Sequence, residues 1–312
     1  VDFATDNTVG TTTYAWTSSS DLGSGLSGIG NISFTAVNTT TDLLVSTFTV
    51  TPTFTNAGVS CVGPGETFTI TVTPTAQVVE VEDIVLCNGG DSTEVVFTTE
   101  NQNGTTLYTW TNNDTSIGLA ASGTGNIASF NATNTTTAPV TATVTVTPAY
   151  DSTLECEGTP ITFTITVNPT AQVEPVASQV VCNGDLTTVD FATDNTVGTT
   201  TYAWTSDSDL GSGLSGTGNI SFTALNTTTD LLVSTFTVTP TFTNVGEQCE
   251  GPSETFTITV IPTAQVVEVE DIVLCNATDS TEVVFTTENQ NGTTLYTWTN
   301  NDTSIGLAAS GT

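Results

Sequence analysis

Threonine and apolar residues alternate along this chain with a period of two. The segment "TFTITV" occurs at 67–72, 162–167 and 255–260. An extended segment with that pattern puts Phe68, Ile70 and Val72 on one face and Thr67, Thr69 and Thr71 on the other. "TFTVTP" (47–52, 235–240) and "TATVTVTP" (141–148) repeat the pattern one strand earlier. "VEVED" (79–83, 267–271), "VDFAT" (1–5, 189–193) and "EVVFTT" (94–99) predict further strands. Turn-rich stretches such as "DLGSGLSGTGN" (209–219) separate them, and no segment shows a convincing helical period.

The pattern also recurs at long range. Shifting the sequence by 188 residues aligns 1–124 with 189–312, with 11 differences, among them Ser19/Asp207, Val62/Glu250 and Thr73/Ile261. A shift of about 94 keeps a weaker common skeleton, so two versions of one unit alternate as A-B-A-B. "TPTAQV" (73–78), "NPTAQV" (168–173) and "IPTAQV" (261–266) mark the joints, where proline should stop the preceding strand. The expected domains are a partial A repeat (1–76, its first strand missing), a B repeat (77–170), an A repeat (171–264) and a partial B repeat (265–312). About seven short strands per repeat predict an all-β chain, a tandem array of immunoglobulin-like antiparallel β-sandwiches arranged as an extended rod.

Each repeat carries one Tyr-x-Trp: Tyr14 and Trp16, Tyr108 and Trp110, Tyr202 and Trp204, Tyr296 and Trp298. Two residues apart on a strand, both rings leave the same face. They are expected to be core anchors between the sheets, the alternative being a repeated, exposed aromatic platform for sugar.

Composition narrows the chemistry. The 312 residues hold 32 Asp plus Glu, no Lys, Arg or His, and a formal charge of −32. Nothing in the chain can neutralise phosphates, so nucleic acid is not expected, and the apolar runs are far short of the roughly 20 residues that span a bilayer, so direct membrane insertion is not expected either. Without histidine or lysine, Ser-His-Asp and Cys-His catalysis, Schiff bases and His-containing zinc sites are excluded. Carboxylate chemistry alone remains, and a sandwich without large insertions offers no cleft for a glycosidase pair, so the chain is not expected to be an enzyme. No side-chain salt bridge can form. Calcium is the one possible cofactor, with weak candidate ligands in Glu80, Glu82 and Asp83 at one joint and Glu268, Glu270 and Asp271 at the equivalent one.

Six cysteines, Cys61, Cys87, Cys156, Cys182, Cys249 and Cys275, keep step with the repeats and read as disulfides of an oxidising compartment. Repeat symmetry leaves two simple schemes. Pairing within repeats gives Cys87–Cys156 and Cys182–Cys249, with Cys61 and Cys275 pairing outside this sequence. Pairing across joints gives 61–87, 156–182 and 249–275. The first is expected, because a strand, a joint and another strand should carry Cys156 and Cys182 beyond disulfide reach.

The order "VVCNGD" (180–185), "YAWT" (202–205), "TFTVTPTFTN" (235–244) and "CEGPSETFTITVIPTAQV" (249–266) resembles the PKD-like repeats of giant cell-surface proteins in the Bacteroidota. Notably, it resembles arrays in SprB-type gliding-motility adhesins exported by the type IX secretion system. Trp204 is followed by "TSDSD" and Trp110 by "TNND", not the Asp-x-Gly-Asp-like turn usual in such domains. The resemblance implies non-catalytic stalk repeats outside the cell. Their partners would be neighbouring repeats of the same long chain and an extracellular surface or glycan.

Overall fold

A computed structural model describes residues 1–150 and 156–312. The chain divides into two compact units, residues 1–134 with 140–167, and residues 135–139 with 168–312. The fold is all β, an immunoglobulin-like sandwich repeated along the chain. Among the described residues the helical segments are two single 3-10 turns, Thr115–Ile117 and Thr303–Ile305.

The third repeat shows the plan most fully. Its larger sheet runs Gln179–Cys182, Glu254–Ile261, Leu232–Asn244, Thr199–Ser206, Ser215–Thr217, with Glu247–Glu250 also paired to Leu232–Asn244. The smaller sheet pairs Leu186–Val189 with Ile220–Thr223. One pairing is parallel, Gln179–Cys182 beside Glu254–Ile261, where a wholly antiparallel sandwich was expected. The second repeat has the same larger sheet, built from Ile84–Cys87, Ile161–Asn168, Val140–Tyr150, Thr106–Asn112 and Ser122–Thr124. Its opposite face is reduced to the bridges Asp91–Asn131 and Val95–Ile127. The first repeat carries Thr11–Ser18, Leu44–Asn56 and Glu66–Val72 in the same order.

Alternation does what the sequence implies. Phe163, Ile165 and Val167 are buried while the threonines between them are not. Proline follows each terminal strand, which ends at Val72, Asn168 and Ile261. Each of the first three repeats has its own apolar cluster: one spans Phe3 to Val72, one Val78 to Val167, one Val173 to Val260. Type A repeats stack Phe48 on Phe68 and Phe236 on Phe256, both at 5.3 Å between centroids. In type B a valine takes one ring's place, with Val144 opposite Phe163.

Three expected strands are absent as ladders, "EVVFTT" (94–99) among them, which keeps only the bridge Val95–Ile127. In residues 79–83 of "VEVED", Asp83 Oδ1 accepts the Thr164 N–H at 2.6 Å. That side chain takes the donor a ladder would have used, and pairing starts at Ile84. Residues 190–193 of "VDFAT" leave the sheet after Val189, where Asn219 Oδ1 accepts the Phe191 N–H at 3.1 Å. Asn31 and Asn126 do the same for Phe3 and Phe97.

Candidate functional site

Trp16, Trp110 and Trp204 are each 7% exposed and belong to the three apolar clusters. Opposite them across an antiparallel pair stand Gly28, Gly123 and Gly216. A Cβ at any of these glycines would overlap the indole, so the ring lies over the bare backbone of the neighbouring strand. Trp298 faces Gly311 in the same way and is half-buried. The rule Trp-opposite-Gly was missed in the sequence, although the glycine of an "SG" recurs 12 or 13 residues after every tryptophan.

The tyrosines sit two residues earlier, half-buried, against a phenylalanine: Tyr14 on Phe3, Tyr108 on Phe97, Tyr202 on Phe191, Tyr296 on Phe285, at 5.3 to 5.6 Å. Burial pushes the Tyr108 phenol above its ordinary value, with a hydrogen bond to Thr99 drawing it partly back. Tyr202 is raised in the same way, countered by Thr193 and reinforced by the Glu174 charge. These rings are packed into the sandwich edge and do not form an open platform.

A cleft of about 720 Å³ lies beside Phe3, Tyr14, Phe54 and Phe68 in the first repeat. In the third repeat the matching Phe191, Tyr202 and Phe256 are packed with Val173, Val176 and Val181. The cleft is therefore not a site repeated along the array.

The carboxylates are dispersed. Among the described residues no three of His, Cys, Asp and Glu stand close enough to share a metal ion. Glu80, Glu82, Glu268, Glu270 and Asp271, proposed by the sequence as calcium ligands, are exposed, and Asp83 is engaged with Thr164. Thr164 holds the Asp83 carboxyl below the usual range. The Asp207 carboxylate is lowered likewise by the Thr235 N–H at 2.9 Å and the Ser234 hydroxyl at 2.9 Å. Asp114 and Asp302 cap the two 3-10 turns by accepting from Ser116 N–H and Ser304 N–H, and are lowered by those residues.

The cysteines correct the expected pairing. Cys87 and Cys249 are disulfide-bonded, while Cys61, Cys156, Cys182 and Cys275 are free thiols. Neither Cys87–Cys156 nor Cys182–Cys249 forms, and none of the cross-joint pairs does. The sheet register gives the reason. Cys182 lies beside Ile261, at the end of the sheet where Leu232 pairs Val260. Cys249 lies opposite Phe242, ten residues further along the same strand. Ten residues of strand span about 33 Å, several times the Cα separation a disulfide allows. In the second repeat Cys156 faces Tyr150, whereas Val140, at the other end of that strand, pairs Val167.

The arrangement that does recur is at the joints. Asn101 donates from Nδ2 to Thr75 O at 3.0 Å and accepts the Gln77 N–H at 2.8 Å. Asn195 does the same with Thr170 O at 3.1 Å and Gln172 N–H at 2.8 Å. Asn289 holds Thr263 O at 3.0 Å and Gln265 N–H at 2.7 Å. One asparagine thus fixes the backbone on both sides of each joint alanine. Ala76 and Ala171 are 1% and 0% exposed. Gly158 and Gly251 approach their carbonyls so closely that a Cβ would collide. Sequence reading found the "PTAQV" joints but not their clasp, whose signal is the recurring T-x-N at 99–101, 193–195 and 287–289.

Fold and joints together define a tandem β-sandwich repeat protein. Residues 84–171 match the PKD-like domain family. No functionally curated protein matches the sequence. Among solved structures, the chain is similar to the three N-terminal domains of the bacteriophage RB49 Highly Immunogenic Outer Capsid protein, at 15% identity and TM-score 0.42, covering 83% of this chain and 91% of that one. It is also similar to chicken CNTN1 FN1-FN3 domains, at 15% identity and TM-score 0.28, covering 82% and 91%. Mouse Cadherin-23 EC22-24 aligns at 10% identity and TM-score 0.31, covering 80% and 86%. Likenesses at these identities and scores say nothing about what the chain does.

Proposed function

We propose that these are stalk repeats of a giant secreted, cell-surface adhesin, spacing an adhesive tip from the cell and transmitting force in gliding motility or surface attachment. The observation that carries this reading is the pairing of separate cores with a recurring clasp. Each of the first three repeats buries its own apolar cluster. The same asparagine then ties it to the next stretch of backbone. In such a chain, force on one repeat passes through hydrogen-bonded joints without requiring its neighbours to unfold. With a charge of −32 and no cation, copies would repel at short range and stay apart. The extracellular location fits the disulfide bonding of Cys87 and Cys249, since disulfides persist in oxidising compartments.

Pulling on the 312-residue chain under reducing conditions tests the reading. Complete repeats should open one at a time, each releasing roughly 300 Å, the contour of about 94 residues. A single non-cooperative extension would overturn it. The other reading, a repeated glycan- or surface-polymer-binding module, predicts saturable sugar binding with one site per repeat. It has little support from tryptophans that are 7% exposed.

A further inference from the structure

One pair of positions at the joints changes with the order of the repeats. In the first unit, where type B follows type A, Asn103 Nδ2 donates to both carboxylate oxygens of Asp42 at 2.8 Å. In the second unit Asn291 Nδ2 donates to Asp230 Oδ1 at 2.8 Å. Both asparagines occupy left-handed backbone, φ 49° and 55°, which Asn adopts more readily than other side-chain-bearing residues. A backbone bond closes beside each fork, Gln102 N–H to Thr41 O at 2.7 Å and Gln290 N–H to Thr229 O at 2.9 Å.

The second unit also contains the opposite order at the equivalent positions. Thr196 N–H donates to Thr137 O at 2.9 Å, as Gln102 does to Thr41. The next residue on each side is Ala138 and Val197 where the fork has Asp and Asn. Neither side chain carries a hydrogen-bonding group. Val197 nevertheless keeps the left-handed backbone, φ 58°, and is 74% exposed.

The chemistry of the fork follows from the composition. A carboxylate in a chain without Lys, Arg or His has only neutral donors to bind. A primary amide supplies two N–H groups on one nitrogen, and its short side chain suits a left-handed turn. We propose that this position pair selects the neighbouring repeat: the Asp42/Asp230 edge of a type A repeat recognises a following repeat that carries Asn-Gly in its first long turn. A following type A repeat would set that carboxylate against a valine. A type B repeat after another type B would set the amide against an alanine. Both mismatches leave a polar group without its partner. This goes beyond the stalk reading and does not depend on it.

Amide hydrogen exchange on the 312-residue chain tests the proposal, with Gln102 N–H reporting the A-to-B joint and Thr196 N–H the other order. Asp42→Ala and Asn103→Gly should each speed Gln102 exchange by roughly tenfold, the loss of about one charge-assisted hydrogen bond. The double variant should be no faster than either single. The exchanged pair, Asp42→Asn with Asn103→Asp, should recover most of the protection, which general destabilisation would not allow. Conversely, Ala138→Asp with Val197→Asn should slow Thr196 exchange by more than the product of the two singles. Multiplicative effects of the Asp42 and Asn103 substitutions, or no recovery in the exchanged pair, would overturn the proposal. The force steps of the stalk would be untouched by that result.

Discussion

Trp204 and Gly216 face each other across two antiparallel strands, and the indole occupies the space a side chain at 216 would need. The same pair recurs as Trp16–Gly28 and Trp110–Gly123. Glycine is generally unfavourable in strands, so its place there is explained by the ring it admits. Gly216→Ala should destabilise the third repeat by about 1–3 kcal/mol, the usual cost of overpacking a filled core. Urea unfolding followed by tryptophan fluorescence would measure it. An unchanged midpoint would mean that the ring can slide aside without loss.

Val245 offers the opposite case. It occupies the left-handed region, φ 49°, followed by Gly246 at φ 82°, at the hairpin between Leu232–Asn244 and Glu247–Glu250. Two consecutive positive φ values are the signature of a tight hairpin turn that favours Asn-Gly. A β-branched residue is strained there, and Val245 is 77% exposed, so it contributes little packing in return. Val245→Asn should stabilise the repeat by about 1 kcal/mol. Thermal unfolding of the two chains side by side would show the midpoint rising. A fall would place the strain elsewhere.

What could be read in advance was what depends on neighbours in sequence. Thr162 to Val167 alternate, and the structure buries Phe163, Ile165 and Val167. Pro74, Pro169 and Pro262 lack a backbone donor, and the strands end before them. The Tyr-x-Trp pattern put both rings on one face, which in the first three repeats lies in the apolar clusters, whereas Tyr296 and Trp298 are only half-buried. Features set by register were not legible. Which residue faces Trp204, and at which end of the sheet Cys182 and Cys249 fall, depends on pairings across 7 to 79 residues that a period of two does not encode. Nor is the competition between side chain and ladder visible: Val79, Val81, Glu80 and Glu82 alternate as a strand should, but Asp83 takes the Thr164 N–H. The Asn101 clasp was hidden for the same reason, since its partners Thr75 and Gln77 lie 26 and 24 residues away.

The cysteines divide into two sets that chemistry can separate. Alkylation of the unfolded, unreduced chain should label Cys61, Cys156, Cys182 and Cys275 and spare Cys87 and Cys249. Cys249→Ser should lower stability by about 2–4 kcal/mol, the typical worth of a disulfide. Cys182→Ser, at an exposed position without a cross-link, should change it by less than about 0.5 kcal/mol. Equal losses from both would restore the pairing of Cys182 with Cys249.

The low-pH behaviour should turn on Asp207. Its carboxylate accepts from Thr235 N–H and Ser234 Oγ, which hold it below the ordinary value of 3.8. A carboxyl lowered on folding adds stability that is present above its unfolded value and lost as pH falls through the folded one. Relief of repulsion acts the other way, because a chain with 32 carboxylates and no basic side chain loses negative charge as it is acidified. The two effects are separated by a substitution the protein already contains. Ser19 stands at the position of Asp207 in the first repeat, and its hydroxyl accepts the Thr47 N–H at 2.9 Å, so serine keeps that bond without the charge. Asp207→Ser should therefore fold with the same sheet. Its unfolding midpoint should drop less than the wild type's as pH falls below the ordinary carboxylate value of 3.8, where the lowered carboxyl loses its charge. Both chains share every other carboxylate, so the difference between the curves isolates this group. Superimposable pH profiles would show that the Asp207 carboxylate gains no more from Thr235 and Ser234 in the folded state than from water.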